Sequence, residues 1–237
     1  MDQYYQHLIN AGVNVDYIMV DWDVPCCASC LMINDNVGNQ VIGFYPGPDD
    51  PKRQSPETLP FIENIALAIL GPEAPGLTLK QGRQLFEHNV PLMVDPGQVT
   101  SAFSRDQVRE LLALATYLII NHHEFQVLKK NGELNDEEVY AQVPEVVLTK
   151  GDKGVVITSG GDSCWVEAVT DLNIRDVTGC GDAFRAGYAY GILNKLSLKG
   201  KGQFGCIMAA RNLESPETQR YQINVKELYT LRSKIYD

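Results

Sequence analysis

The sequence predicts an α/β protein: a doubly wound, mostly parallel sheet with helices on both faces, preceded by a small β hairpin. Three observations predict it. After residue 61, short apolar runs alternate with segments of helical periodicity. The apolar runs are unbroken rather than alternating with polar residues, the pattern of strands buried on both faces. Turn formers punctuate the boundaries between them, so each run and each periodic segment is a separate element of a strand–helix–strand series.

Taken in order, residues 2–12 read as a short helix stopped by Gly12. Ala28–Ile33 and Gln40–Tyr45 are strand-like runs. Between them Asn34-Asp35-Asn36-Val37-Gly38-Asn39 is rich in turn formers, so the pair reads as a hairpin. Pro46–Pro60 carries prolines at 46, 48, 51, 56 and 60 and reads as a loop. The strands expected next are Ile65–Leu70, Pro91–Val94, Tyr117–Asn121, Val146–Thr149 and Val155–Thr158. Helices are expected at Leu77–Asn89, Ser104–Ala115, His122–Lys130, Cys180–Asn194, Gly202–Leu213 and Val225–Ile235. In such sheets ligands bind beyond the carboxyl ends of the strands, so strand-to-helix turns are the places to look for chemistry.

Composition excludes some partners. The chain has 237 residues, 44% hydrophobic, and a formal net charge of −10. An acidic surface repels phosphate backbones and anionic lipid, so neither nucleic acid nor a membrane surface is an expected partner. A nucleotide site would have to draw positive potential from amides and a metal. No apolar run is long enough to cross a bilayer, and Met1-Asp2-Gln3-Tyr4-Tyr5 lacks the basic start and apolar stretch of an export signal. The six cysteines then read as reduced thiols of a cytoplasmic protein. Cys27-x-x-Cys30 has no second ligand pair at zinc-finger spacing, and Cys26, Ala28 and Cys30 fit one face of a strand better.

The strongest segment is Asp176-Val177-Thr178-Gly179-Cys180-Gly181-Asp182-Ala183-Phe184, which follows the extended Asn173-Ile174-Arg175 and opens a helix. Two glycines flanking one residue allow consecutive N–H groups to converge, and the helix adds its positive end. That is an anion hole without a basic side chain. Asp182, in the first turn, can accept a proton from a hydroxyl attacking a phosphoryl group; the plainer alternative is a favourable first-turn charge. Asn121-His122-His123-Glu124 ends a strand. An amide and a carboxylate three apart share a helix face, and such hard oxygen donors suit Mg²⁺; the same spacing also makes a capping box. The side chains of the adjacent histidines diverge on a helix, which disfavours zinc. Thr149-Lys150-Gly151-Asp152-Lys153-Gly154 is either a phosphate-contacting loop or an ordinary hairpin turn.

The nine residues 176–184 resemble the signature Asp-x-Thr-Gly-x-Gly-Asp-x-Phe of the ribokinase-like (PfkB) kinases, and Gly179–Gly187 resembles their adenosine-kinase-like branch. Asn121-x-x-Glu124 and Thr149-x-Gly151-x-x-Gly154 are similar to two further motifs of that family. The resemblance implies an ATP-dependent kinase acting on a hydroxymethyl group of a nucleoside or sugar. It implies Asp182 as catalytic base and Gly179, Cys180 and Gly181 as the anion hole. It further implies ATP contacts from Thr149, Gly151, Gly154, Asn121 and Glu124, with Mg²⁺ held near Asn121 and Glu124 through water. K⁺ would lie near Asp176 and Thr178. Weaker likenesses are Asp95-Pro96-Gly97-Gln98, Asn39–Gly47 as lid strand and loop, and Thr218-Gln219.

The sequence departs from the family pattern at Val177 and at Glu217, where a glycine is expected. The resemblance makes residues 1–237 one kinase domain with 26–46 as remnant of a β lid, and it leads one to expect roughly 50–80 further N-terminal residues carrying the acceptor aspartate and a Gly-Gly-x-x-x-Asn segment. A mis-assigned start, a truncated relative or a fragment completed by a partner would each account for that. A nucleotide-binding relative without turnover is the alternative function. No dinucleotide fingerprint or P-loop is present. A lid in this family either covers a monomer or clasps a second subunit.

Overall fold

The computed structural model describes residues 3–18, 20, 23, 29–34, 40–45 and 55–237. The chain divides into two compact units, Met1–Pro60 and Phe61–Asp237. In the first, helix α1 spans Gln3–Asn10, and strands β1 (Ser29–Asn34) and β2 (Gln40–Tyr45) pair antiparallel with Asn34 opposite Gln40. This is the expected hairpin. Its turn at 35–39, Cys26, Cys27 and residues 46–54 of the expected loop lie outside the described residues.

The second unit follows the expected alternation. Strand β3 (Ala68–Leu70), helix α2 (Pro75–Glu87), β4 (Leu92–Val94), α3 (Arg105–Leu114), β5 (Tyr117–Asn121), α4 (His122–Gly132), α5 (Asp136–Gln142) and β6 (Glu145–Thr149) come first. Then β7 (Val155–Ser159), β8 (Asp162–Val166), α6 (Cys180–Leu193), α7 (Leu198–Leu213) and α8 (Val225–Tyr236) complete it. The six strands lie in chain order, β3 to β8. β3 through β6 pair parallel, whereas β7 and β8 join antiparallel through tight connections. The sheet is therefore mostly parallel, with an antiparallel hairpin at one edge.

Helices cover both faces. Met93, Ile119, Val147, Ile157 and Val166 point to the side where Phe184 and Tyr188 of α6 and Cys206 of α7 pack. Their neighbours Leu92, Leu118, Ile120 and Val146 are equally buried, at 0 to 2% exposure, and by strand alternation face the other side. That side belongs to the helices that cross between parallel strands, and α2 and α4 pack on β3–β6.

One polar group is sunk into the α6 side. Lys201 of α7 donates to Glu145 Oε1 of β6 at 2.7 Å, and Tyr188 of α6 donates to the same oxygen at 2.7 Å. All three are buried. Burial, reinforced by the Glu145 charge, drives the Tyr188 phenol far above its ordinary pKa, so it stays a donor. Glycines let α6 and α7 meet backbone to backbone: a Cβ at Gly187 would lie 2.4 Å from the Phe204 carbonyl oxygen.

Candidate active site

The parallel strands end on one side in short turns, and the sequence-predicted residues gather there. A cavity of about 840 Å³ is lined by Asn121 at the end of β5, Thr149 at the end of β6, Gly151 and Gly154 in the β6–β7 turn, and Cys180 and Gly181 at the start of α6. Three segments separated by tens of residues thus meet at one opening. Glu124, Asp176, Thr178, Gly179 and Asp182 stand outside its lining.

The start of α6 differs from most of the other helix starts; α2, which opens on Ala74 ahead of Pro75, also lacks a side-chain cap. Helices α3, α4, α5, α7 and α8 open on Ser104, Asn121, Asn135, Ser197 and Asn224, whose side chains accept a first-turn N–H. Helix α6 opens on Gly179 in the left-handed conformation, φ 77°, with no side chain to do so. A Cβ there would come within 2.7 Å of Thr218 Cγ2, so both backbone and space require glycine. The Cys180 N–H reaches back to the Val177 carbonyl at 3.3 Å. Gly181, one residue further, donates no backbone hydrogen bond among the described residues, since the Val177 and Thr178 carbonyls behind it take Cys180 and Asn212, and its amide remains available to an anion.

The approach to α6 is held from below. The buried Asn212 donates to the Thr178 carbonyl at 2.7 Å, and the Arg175 N–H bonds Leu213 O at 2.8 Å. Asp176 Oδ1 accepts the Thr178 N–H at 2.9 Å. That bond, with one from the Thr178 side chain and one from the Val177 N–H, holds the Asp176 carboxyl below its ordinary pKa, hence anionic.

Asn121 and Glu124 form a capping box: Asn121 Oδ1 accepts the Glu124 N–H at 2.9 Å, and Glu124 Oε2 accepts the Asn121 N–H at 3.1 Å. Asn135 and Glu138 make the same box at the start of α5. The spacing alone therefore marks a helix start; what singles out Asn121 is its place at a strand end on the cavity wall. The Thr149–Gly154 loop likewise satisfies the hairpin reading, since β6 and β7 are antiparallel neighbours. Gly154, with φ 106°, lies so close to β8 that a Cβ would sit 2.1 Å from the Val166 carbonyl oxygen.

Sequence reasoning missed two parts of this region. One wall of the cavity is Cys206, Ala209, Ala210 and Leu213 of α7, a stripe of apolar residues at helical spacing that was visible in the sequence. The other is a charged set beside Asp182. Its carboxylate is paired with Arg185, whose guanidinium also pairs with Asp95 at the end of β4. Burial pushes the Asp95 carboxyl up to about 6 against the pull of Arg185, with Glu124 and Asp182 raising it further.

The family model described as pfkB family carbohydrate kinase matches residues 1–224. The chain belongs to that family. It is a small-molecule kinase of the nucleoside and sugar class. It is similar to a nucleoside kinase of Methanocaldococcus jannaschii, 23% identical over 218 residues that cover 91% of this chain and 70% of that protein. The structure of Burkholderia thailandensis nucleoside kinase in complex with inosine matches at TM-score 0.90 and 25% identity, over 98% of this chain and 77% of that one. The same kinase in complex with ADP-inosine matches at TM-score 0.89 and 25% identity, over 98% and 72%. Thermotoga maritima ribokinase matches at TM-score 0.74 and 20% identity, over 98% and 78%. The fold is ribokinase-like, as the motifs implied. Among the described residues no helix is long and apolar enough to cross a membrane.

Proposed function

We propose that this PfkB-family chain transfers the γ-phosphoryl group of ATP to a hydroxymethyl group of a nucleoside, with a sugar as the alternative acceptor. One observation carries the reading: Asn121, Thr149, Gly151, Gly154, Cys180 and Gly181 converge on a single cavity at the carboxyl ends of the strands. The nucleoside preference is supported by the inosine and ADP-inosine complexes of the Burkholderia relative.

In this reading the triphosphate lies over the start of α6. Asp182 takes the proton of the acceptor hydroxyl as its oxygen attacks the γ-phosphorus. The bond from that phosphorus to the bridging oxygen breaks, and ADP leaves. Amides at Gly179, Cys180 and Gly181 meet the charge that spreads over the transferring oxygens. The Cys180 amide must give up its long bond to Val177 to take part. Hard oxygens at Asn121 and Glu124 fit a hydrated Mg²⁺, since the capping box uses only one of the two Glu124 oxygens. When bound, Mg²⁺ would neutralise phosphate charge. Asp176, kept anionic, and Thr178 fit a monovalent cation such as K⁺. The two units are read together as one kinase domain across residues 1–237, because the family match runs through both, with the hairpin β1–β2 as its lid.

The test is phosphotransfer from labelled ATP to inosine, adenosine, ribose and related acceptors, beside calorimetry with ATP and Mg²⁺. Labelled nucleoside monophosphate supports the proposal. Nucleotide binding with no product across the panel replaces it with a binding protein that does not turn over.

A further inference from the structure

Arg185 follows Asp182 by one turn of α6. Its guanidinium is 12% exposed and bonds two carboxylates: Nη1 donates to Asp95 Oδ2 and Nη2 donates to Asp182 Oδ1. Asp95 is itself anchored, because its Oδ1 accepts the Gly97 N–H at 2.9 Å in the turn after β4. A continuous line of bonds therefore runs from the Gly97 backbone through Asp95 and Arg185 to Asp182. The Asp182 side chain is 74% exposed, and among the described residues its hydrogen-bond partner is Arg185. A carboxylate that open to water would otherwise sample several rotamers.

We propose that Arg185 is a positioning residue: anchored on Asp95, it holds the Asp182 carboxylate in the orientation from which Asp182 meets the acceptor hydroxyl. The inference rests on the reading of Asp182 as the base. Two alternatives explain less. A purely structural strap is redundant, because Phe184 and Tyr188 already bury α6 against the sheet and Gly187 and Gly191 seat it on α7. A phosphate ligand is disfavoured because both terminal nitrogens of the guanidinium are engaged by carboxylates and Arg185 is not part of the cavity wall.

The test compares Arg185→Gln, Arg185→Lys, Asp95→Asn and Asp182→Asn. Misplacing a base by an ångström lowers turnover by about 10- to 100-fold, so Arg185→Gln should lose that much in kcat with little change in either KM. Calorimetry should still return one ATP site per chain at parental affinity, which separates a misaimed base from a misfolded fraction. Arg185→Lys keeps the charge without the planar fork and should recover part of the loss. The double variant Asp95→Asn/Arg185→Gln should be no worse than Arg185→Gln alone, because both act through one line of bonds. Parental kcat in Arg185→Gln, or weakened ATP binding with kcat intact, overturns the inference. If Arg185→Gln does not fold, Arg185→Lys and Asp95→Asn carry the same test, and parental kcat in both overturns it. Full activity in Asp182→Asn would instead remove the base reading on which the inference stands. Independently of turnover, a crystal structure of Arg185→Gln with the Asp182 carboxylate in its original place also overturns it.

Discussion

Two sets of charged side chains sit at opposite ends of the same parallel strands. Glu145, the first residue of β6, meets Lys201 and Tyr188, all buried. Asp95, just past the end of β4, meets Arg185 and through it Asp182. The first set is saturated: one carboxylate, one ammonium, one phenol donor, with the ammonium also 5.8 and 5.6 Å from the Tyr117 and Tyr188 ring centres. The second is unbalanced, with Asp95 and Asp182 sharing one guanidinium and the charge of Glu124 felt at Asp95. A satisfied buried pair holds β6, α6 and α7 together. In the proposed mechanism, an unbalanced, partly wet one keeps negative charge within reach of the acceptor hydroxyl.

The sharpest way to break this contrast is to neutralise one residue in each set. Asp182→Asn should lower kcat by about 10³-fold or more while leaving the unfolding midpoint in urea nearly unchanged, since it removes the proposed base from an exposed position. Glu145→Ala should do the reverse. It leaves Lys201 buried without its partner and should cost about 3–5 kcal/mol of stability, read from urea unfolding, with kcat of the folded protein retained within a few-fold.

Asp95→Asn sharpens the comparison because its sign differs. In the folded protein Asp95 holds its proton up to about pH 6, well above an ordinary carboxyl. Between about pH 4 and 6 the folded state therefore binds more protons than the unfolded one, and stability falls as pH rises through that window. The groups facing Asp95 are Arg185 and Asp182 of α6, Glu124 of α4 and the Gly97 amide. Replacing it with Asn should raise stability by about 1–3 kcal/mol above pH 6, with the gain gone at pH 4, as urea unfolding at several pH values would register. The smallest effect is expected of Tyr188→Phe, which deletes one donor to Glu145 and should cost about 1–2 kcal/mol, measured as a lowered Tm.

How much of this was legible in the sequence varies with locality. Strand and helix positions came through where burial wrote a pattern: Tyr117–Asn121 and Gln40–Tyr45 match their expected bounds. Strand β8 did not, because on Asp162–Val166 only Val166 is fully buried and no alternation survives. Helix α5 was missed for a similar reason, with Val139 its one buried residue. Helix α7 begins at Leu198, before the expected Gly202, because Ser197 caps it across a glycine-containing turn. The gathering of Asn121, Thr149, Gly151, Gly154, Cys180 and Gly181 could be anticipated, since each sits at a strand end or helix start. The Asp95–Arg185 pair could not, because it joins residues 90 apart in the chain and only tertiary packing brings them together.

The uncovered start of α6 bears on how a highly charged nucleotide reaches a protein whose net charge is −10. At long range such a molecule is repelled, and dissolved salt shortens the reach of that repulsion. On the proposed reading it meets peptide dipoles at contact, whose grip is short-ranged and releases no condensed ions. Moderate salt should accordingly hasten arrival without loosening the hold, the opposite of what a lysine-lined phosphate site does. On that reading, the left-handed turn at Gly179 thus gives an acidic molecule a place to take up an anion without a basic side chain.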